Sequence, residues 1–127
     1  MTRNLDSAGL TDRDAACDIP ALSGPQRQGD VLILPAAPAA TTPVPASGTV
    51  VVDGQNLGNS HVIYAVGGPV YCDIVAPRGE DLRVATLTVP EGSTAYLAHP
   101  EHVYLGVAAG SYQIRLQRQH AASTSAD

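Results

Sequence analysis

From Gly48 onward the sequence alternates short β-branched segments with turn-forming residues, and this alternation leaves few folds open to the chain. Segments such as HVIYAV (61–66) and LRVATLTV (82–89) each end at Gly or Pro, with turns about every 8 to 12 residues. SYQIRLQRQ (111–119) alternates apolar and polar residues with the period of two that marks a half-exposed strand. No segment of useful length has helical periodicity. The sequence therefore predicts an all-β fold: a single antiparallel β-sandwich or small barrel of about seven to eight short strands.

Polarity divides the chain into three parts. Residues 1–27 are polar and acidic, and they predict a mostly extended or flexible N-terminal arm. Residues 28–119 form the predicted β-domain, which opens with the buried strand of GDVLILP (29–35), and residues 120–127 form a flexible tail. The segment AAPAATTPVPASG (36–48) is rich in proline, which lacks an N–H group and fixes its own backbone angle. We expect this segment to be an extended crossing rather than a central strand.

Composition limits the functions open to the chain. A length of 127 residues suits one domain, and without Phe or Trp its core must consist of aliphatic residues and Tyr. A small aliphatic domain of this kind is often stabilised by a metal ion, a partner subunit or a larger assembly. The net charge is −5 and the basic residues are not clustered, which argues against nucleic-acid binding.

The N-terminal sequence favours a protein that is not exported. Four aspartates lie between residues 6 and 18, where a secretory signal would be apolar. No apolar stretch reaches the length of a membrane-spanning helix. We therefore expect the protein in the cytoplasm or assembled into a particle or virion. Without export, Cys17 and Cys72 are expected to stay reduced, and Cys72 is predicted to be an inert thiol in the core.

The histidines are the residues best suited to chemistry. His99 and His102 flank Pro100 and Glu101, and His61 opens a predicted strand. If Pro100 and Glu101 form a single helical or 3₁₀ turn, both rings can reach one ion together with His61, and zinc would suit three imidazole ligands. If the segment is extended, the rings point to opposite sides and act as ordinary polar residues. Glu101 is the candidate general base.

The order of motifs resembles that of a family of small, uncharacterised bacterial and phage-associated proteins. RQGDVLILP (27–35), LGNSHVI (57–63) and AHPEHVYLGVAAGSYQIRLQRQ (98–119) resemble its Arg-Gln-Gly-Asp-Val start, Gly-His-x-His step, His-x-Glu-His step and closing strand. The resemblance implies a shared β-fold and a site at His61, His99 and His102. Asn59 stands where the family has its first histidine, which disfavours catalysis in this chain, and the closing strand matches only loosely.

Three functions remain open. The first is a non-catalytic β-domain that works by protein association, as a homo-oligomer or as a particle component such as a capsid-decorating protein, with a structural metal at the three histidines. The second is a zinc-type hydrolase in which His61, His99 and His102 bind the metal and Glu101 is the base. The third is a β-fold that binds a small molecule or peptide in its mouth. The incomplete catalytic set favours the first.

Overall fold

The structure, a computed structural model, describes residues 19–53, 60–76 and 81–117, and these residues form strands without any helix. The strands are β1 (Ala21–Leu22), β2 (Gln26–Gln28), β3 (Val31–Pro35), β4 (Thr49–Val52), β5 (His61–Val66), β6 (Tyr71–Ile74), β7 (Arg83–Val89), β8 (Thr94–His99), β9 (His102–Val107) and β10 (Gly110–Leu116). The predicted all-β class is confirmed.

The strands form two five-stranded sheets that pack as a sandwich rather than closing into a barrel. Sheet A has the order β1-β9-β8-β5-β4, and sheet B has the order β2-β3-β10-β7-β6. Neighbouring strands are antiparallel except β1 and β9, which run parallel. Of the two architectures that the sequence allowed, the sandwich is therefore the right one.

The core lies between the sheets because most of the longer strands alternate between a buried and a more exposed side. In β10, Tyr112 and Ile114 are buried, whereas Gln113 and Arg115 face outward. The buried positions of the two sheets build one aliphatic cluster around a single buried tyrosine. Its members are Val31, Ile33, Val51, Ile63, Val70, Cys72, Ala85, Leu87, Val89, Ala95, Leu97, Val107, Tyr112 and Ile114.

A short N-terminal segment joins the two sheets along one side of the sandwich. β1 pairs with β9 in sheet A, and β2 then pairs with β3 in sheet B. Gly106 permits this arrangement, since a Cβ atom there would lie 2.4 Å from the carbonyl oxygen of Pro20. Residues 1–18 of the predicted N-terminal arm lie outside the described residues, as does the predicted C-terminal tail.

The proline-rich segment crosses from β3 to β4 and covers the edge of β6, as an extended crossing would. The N–H of Val44 donates to the carbonyl of Val70, and the N–H of Cys72 donates to the carbonyl of Thr42. Cys72 is buried and unpaired, and burial followed by the neighbouring Asp73 raises the pKa of its thiol to about 12. Cys72 is thus a protonated core residue; Cys17 lies outside the described residues.

Candidate functional site

One end of the sandwich brings together the three histidines that the sequence singled out. His61 begins β5, His99 ends β8 and His102 begins β9. The ring centroids are 4.4 Å apart for His61 and His99, 4.5 Å for His99 and His102, and 6.1 Å for His61 and His102. Side chains from three strands of sheet A therefore form one imidazole cluster.

A tight β-hairpin places His99 beside His102. Pro100 and Glu101 form the two-residue turn between β8 and β9, and the two histidines are cross-strand partners with a register shift after Leu97. The extended alternative, in which the two rings point to opposite sides, is therefore wrong, and the alternative in which a single turn brings both rings together describes the step better. The rings meet because directly opposite residues of an antiparallel pair point to the same face of a sheet.

The side chain of Gln28 fixes the orientation of the His61 ring. Its Nε2 atom donates to the carbonyls of Leu97 (2.9 Å) and Val103 (2.8 Å), so its Oε1 atom must accept. Oε1 lies 2.9 Å from Nδ1 of His61, which therefore carries the proton and donates. In the neutral ring, Nε2 of His61 is left with a free lone pair.

His99 is held in the opposite tautomer. The backbone N–H of Glu101 donates to Nδ1 of His99 over 3.0 Å, so this nitrogen must be unprotonated. The proton of the neutral His99 ring consequently lies on Nε2. The cluster thus combines an imidazole that accepts at Nε2 with an adjacent imidazole that donates at Nε2.

Burial keeps His61 uncharged at neutral pH. Its side chain is buried, and desolvation together with repulsion from His99 and His102 lowers its pKa to about 4. The carboxylate of Asp30 acts in the opposite direction but does not compensate. His61 is therefore a neutral hydrogen-bonding group across the physiological range.

The cluster faces an open cavity of about 470 Å³ at this end of the sandwich. Two carboxylate residues, Asp30 and Glu101, line it together with the histidines and with Gly29, Val31, Val52 and Leu116. Gly29 has a positive φ of 61°, and a Cβ atom there would lie 2.9 Å from Nε2 of His102. The positive φ favours glycine at this turn, and a larger residue would have to displace the exposed ring of His102.

The outward side of sheet A adjoins this cluster. A cleft of about 320 Å³ is lined by Ser60, Val62, Tyr64, Ala98, His99, Pro100 and Tyr104, so His99 borders both cavities. Tyr64 pairs with Tyr96 and Val62 pairs with both Ala98 and Val50 across neighbouring strands. We call the side formed by these residues the outer face of sheet A; its members are Val50, Val62, Tyr64, Tyr96, Ala98 and Tyr104.

A metal ion would require the cluster to rearrange. In the described part of the chain, no three or more His, Cys, Asp or Glu side chains are placed so that they could hold a metal ion. The tautomer of His99 gives one reason, because its Nε2 carries a proton while Nδ1 is engaged by the turn. Metal binding at His61, His99 and His102 stays a prediction. Asn59 lies outside the described residues.

Sequence reasoning missed three residues of this site, which are consecutive. Gln28 orients the His61 ring, Gly29 leaves room for the His102 ring, and the negative charge of Asp30 acts to raise the pKa of His61. All three belong to the RQGDV segment that carried the family resemblance. The polar residues directly before the buried strand β3 were therefore the sequence signal that could have pointed to these three residues.

A family model described as a domain of unknown function, DUF8820, matches residues 27–117, which is more than half of the chain. The match spans the imidazole cluster, Gln28 and both sheets of the sandwich apart from β1 and the first residue of β2. No curated protein and no solved structure matches the chain. No helix long and apolar enough to cross a membrane is found in the described residues.

Proposed function

We propose that this chain, which belongs to the DUF8820 family, is a non-catalytic β-domain that works by protein association through the outer face of sheet A. The observation that supports this most is the distribution of charge between the two sheets. None of the five strands of sheet A contains Asp, Glu or Arg, whereas the strands of sheet B contain Arg27, Asp73, Arg83 and Arg115.

The residues of the outer face suit a protein interface. Three of the five tyrosines, Tyr64, Tyr96 and Tyr104, lie on it, and each is partly exposed. Protein interfaces are enriched in tyrosine and depleted of charge at their centres. Tyrosine also provides a large contact area while losing little side-chain entropy.

Sheet B shows what the solvated side of this sandwich looks like. Its outward residues include Thr86, Thr88, Gln113 and Arg115, next to Leu32 and Leu34 of β3 and Tyr71 of β6. A sandwich with one face that carries charges and one face that carries none but three tyrosines is expected to cover the second with protein. Copies of the chain itself are the proposed partners, in a homo-oligomer or in a particle to which the domain adds as a decorating component.

Light scattering coupled to size exclusion tests the proposal on the full chain. We expect an assembled mass above the 13.1 kDa of the single chain, and we expect Tyr96→Arg to lower it by placing a charge in the interface. Gln113→Arg introduces the same charge on the outward side of sheet B and should leave the mass unchanged. A monomer at all concentrations, or equal effects of the two variants, would contradict the proposal.

A metal-dependent hydrolase is the second candidate. The convergence of His61, His99 and His102 on a cavity that Glu101 also lines favours it. Zinc would have to displace the bond from the Glu101 N–H to His99, because the ring must free a lone pair at Nε2. Titration of metal-free protein with Zn²⁺ by calorimetry tests this candidate: stoichiometric binding that His99→Ala abolishes supports it, and no binding excludes it.

A further inference from the structure

Two imidazoles of the cluster are almost completely buried, yet only one nitrogen of each is in a hydrogen bond. His61 is 7% exposed and His99 is 8% exposed. Nδ1 of His61 donates to Oε1 of Gln28, and Nδ1 of His99 accepts the backbone N–H of Glu101. Within residues 19–53, 60–76 and 81–117, no hydrogen bond reaches either Nε2 atom. Buried polar groups nearly always have a partner, which is protein, water or a ligand.

The ring edges that carry these Nε2 atoms can reach the larger cavity. In each imidazole, the Nε2–Cδ2 edge lies opposite Nδ1 and so points away from the group that Nδ1 contacts. For His61 that group is Gln28, which does not line the cavity, and for His99 it is the backbone of the turn between β8 and β9. Both rings line the cavity of about 470 Å³. A molecule in this cavity can therefore contact both Nε2 atoms.

The two tautomers make these nitrogens chemically complementary. Nε2 of His61 has a lone pair and accepts, whereas Nε2 of His99 has a proton and donates. The two ring centroids are 4.4 Å apart, so one small planar group is large enough to contact both rings. A group that satisfies the pair must donate one hydrogen bond and accept another. A carboxylate only accepts and an ammonium group only donates, so each satisfies one nitrogen alone.

The wall of the cavity adds negative charge. Asp30 and Glu101 both line it, and Asp30 is close enough to His61 to act on the charge of that ring. The described residues of the wall include no Lys or Arg. A ligand with a positive charge beside its donor and acceptor atoms is therefore favoured over an anionic one.

The size and lining of the cavity suit a molecule larger than water. A single water molecule also donates and accepts, but the cavity far exceeds the roughly 10–15 Å³ that one water needs. Val31, Val52 and Leu116 provide apolar surface beside the polar groups. A few converging polar groups on an apolar wall are typical of sites for small molecules.

We propose that this end of the sandwich binds small molecules that carry a primary carboxamide and an ammonium group. The amide N–H donates to Nε2 of His61, and the amide oxygen accepts from Nε2 of His99. The ammonium group lies near the carboxylates of Asp30 and Glu101. This binding goes beyond the association proposed for the outer face of sheet A, because it uses the end of the sandwich and needs no second protein.

NMR titration of the chelator-treated full chain with three probes tests the proposal. Glycinamide carries both groups, glycine has a carboxylate in place of the amide, and ethanolamine has a hydroxyl there. We expect saturable binding of glycinamide at neutral pH that shifts the Nε2 resonances of His61 and His99. Glycine should bind at least about tenfold more weakly, because its carboxylate cannot donate to His61 and is repelled by the carboxylates of the wall. Ethanolamine should also bind more weakly, since its single oxygen must serve both rings.

A variant at the rim of the cavity tests the role of charge. Glu101 is exposed, and Glu101→Gln keeps the backbone N–H that fixes the tautomer of His99. It should weaken glycinamide binding about two- to fivefold, which is the range for exposed ion pairs. Glu91→Gln is the matched control, because it removes the same charge from an exposed turn at the opposite end of β8. It should leave binding unchanged.

Each contrary result overturns a stated part of the proposal. If glycinamide causes no saturable shift at the Nε2 atoms of His61 and His99, the cavity holds solvent only and the site is wrong. Glycine or ethanolamine binding as tightly as glycinamide would show that the amide is not recognised. Equal effects of Glu101→Gln and Glu91→Gln would show that the ammonium group does not lie at the carboxylates of the wall.

Discussion

Replacing Gln28 by leucine should destabilise the domain more than any comparable change on the same strand. Gln28 is only 3% exposed, and its amide satisfies the carbonyls of Leu97 and Val103 and the Nδ1–H of His61. Leucine has a similar volume but satisfies none of them. The substitution therefore leaves up to three polar groups of sheet A without partners at the end of the sandwich.

The expected loss of stability follows from these three groups. An unsatisfied buried donor or acceptor costs about 1–3 kcal/mol, and the partly buried bond to Val103 falls at the low end because water can reach it. Allowing for the apolar gain of the leucine side chain, we expect Gln28→Leu to lower the free energy of unfolding by about 3 kcal/mol. This is a large share of the roughly 5–15 kcal/mol that stabilises a typical domain.

Urea unfolding with a matched variant measures this effect. Gln26 lies on the same strand, is half-buried and makes one bond, to the carbonyl of Gly106. Gln26→Leu should therefore cost about 1 kcal/mol or less, at an unchanged denaturant slope. If both variants lose the same stability, the Gln28 side chain does not make the three hydrogen bonds to sheet A. The tautomer assigned to His61, which depends on its bond to Gln28, would then be unsupported.

Three further perturbations have defined outcomes. The pKa of His61 is lowered from 6.5 to about 4, so between these pH values the unfolded chain binds a proton at His61 and the folded chain does not. The free energy of unfolding should therefore fall by about 2–3 kcal/mol as the pH drops from 6.5 to 4. Urea unfolding at a series of pH values should show a smaller loss in His61→Gln. Gly29→Ala should displace the His102 ring and shift its NMR resonances, whereas Gly24→Ala, with open space around it, should not; equal spectra would refute the close approach. Asp73→Ala should speed hydrogen exchange and proteolysis in the proline-rich segment without altering the rest of the sandwich, and unchanged exchange would show that the carboxylate does not hold it.

Strands could be predicted where the segment itself shows the alternation of residues that indicates one buried and one exposed side. HVIYAV (61–66) matches β5 at both ends because β-branched residues alternate between core and outer face and turn residues follow. β1 and β2 were not predicted, since the two residues AL are too few and the three residues QRQ too polar to indicate strands. β9 was missed as well, because its first residues are exposed and Gly106 stands one residue before its end.

The candidate site could be predicted in part. The sequence named His61, His99 and His102, yet whether their rings meet depended on the conformation at Pro100 and Glu101, which form the tight turn of a β-hairpin. The role of Gln28 in orienting the His61 ring could not be predicted from the sequence. A glutamine in a polar segment resembles an exposed one until the order of strands places it against sheet A.

Residue-resolved footprinting of the tyrosines tests most directly the claim that the outer face of sheet A is covered by protein. Tyr64, Tyr96 and Tyr104 lie on that face, and Tyr71 lies on sheet B with similar partial exposure. Tyr112 is buried in the core and serves as the negative control for labelling. We predict that raising the protein concentration lowers the labelling of the first three and leaves Tyr71 unchanged. Labelling of all four that is independent of concentration would contradict the account.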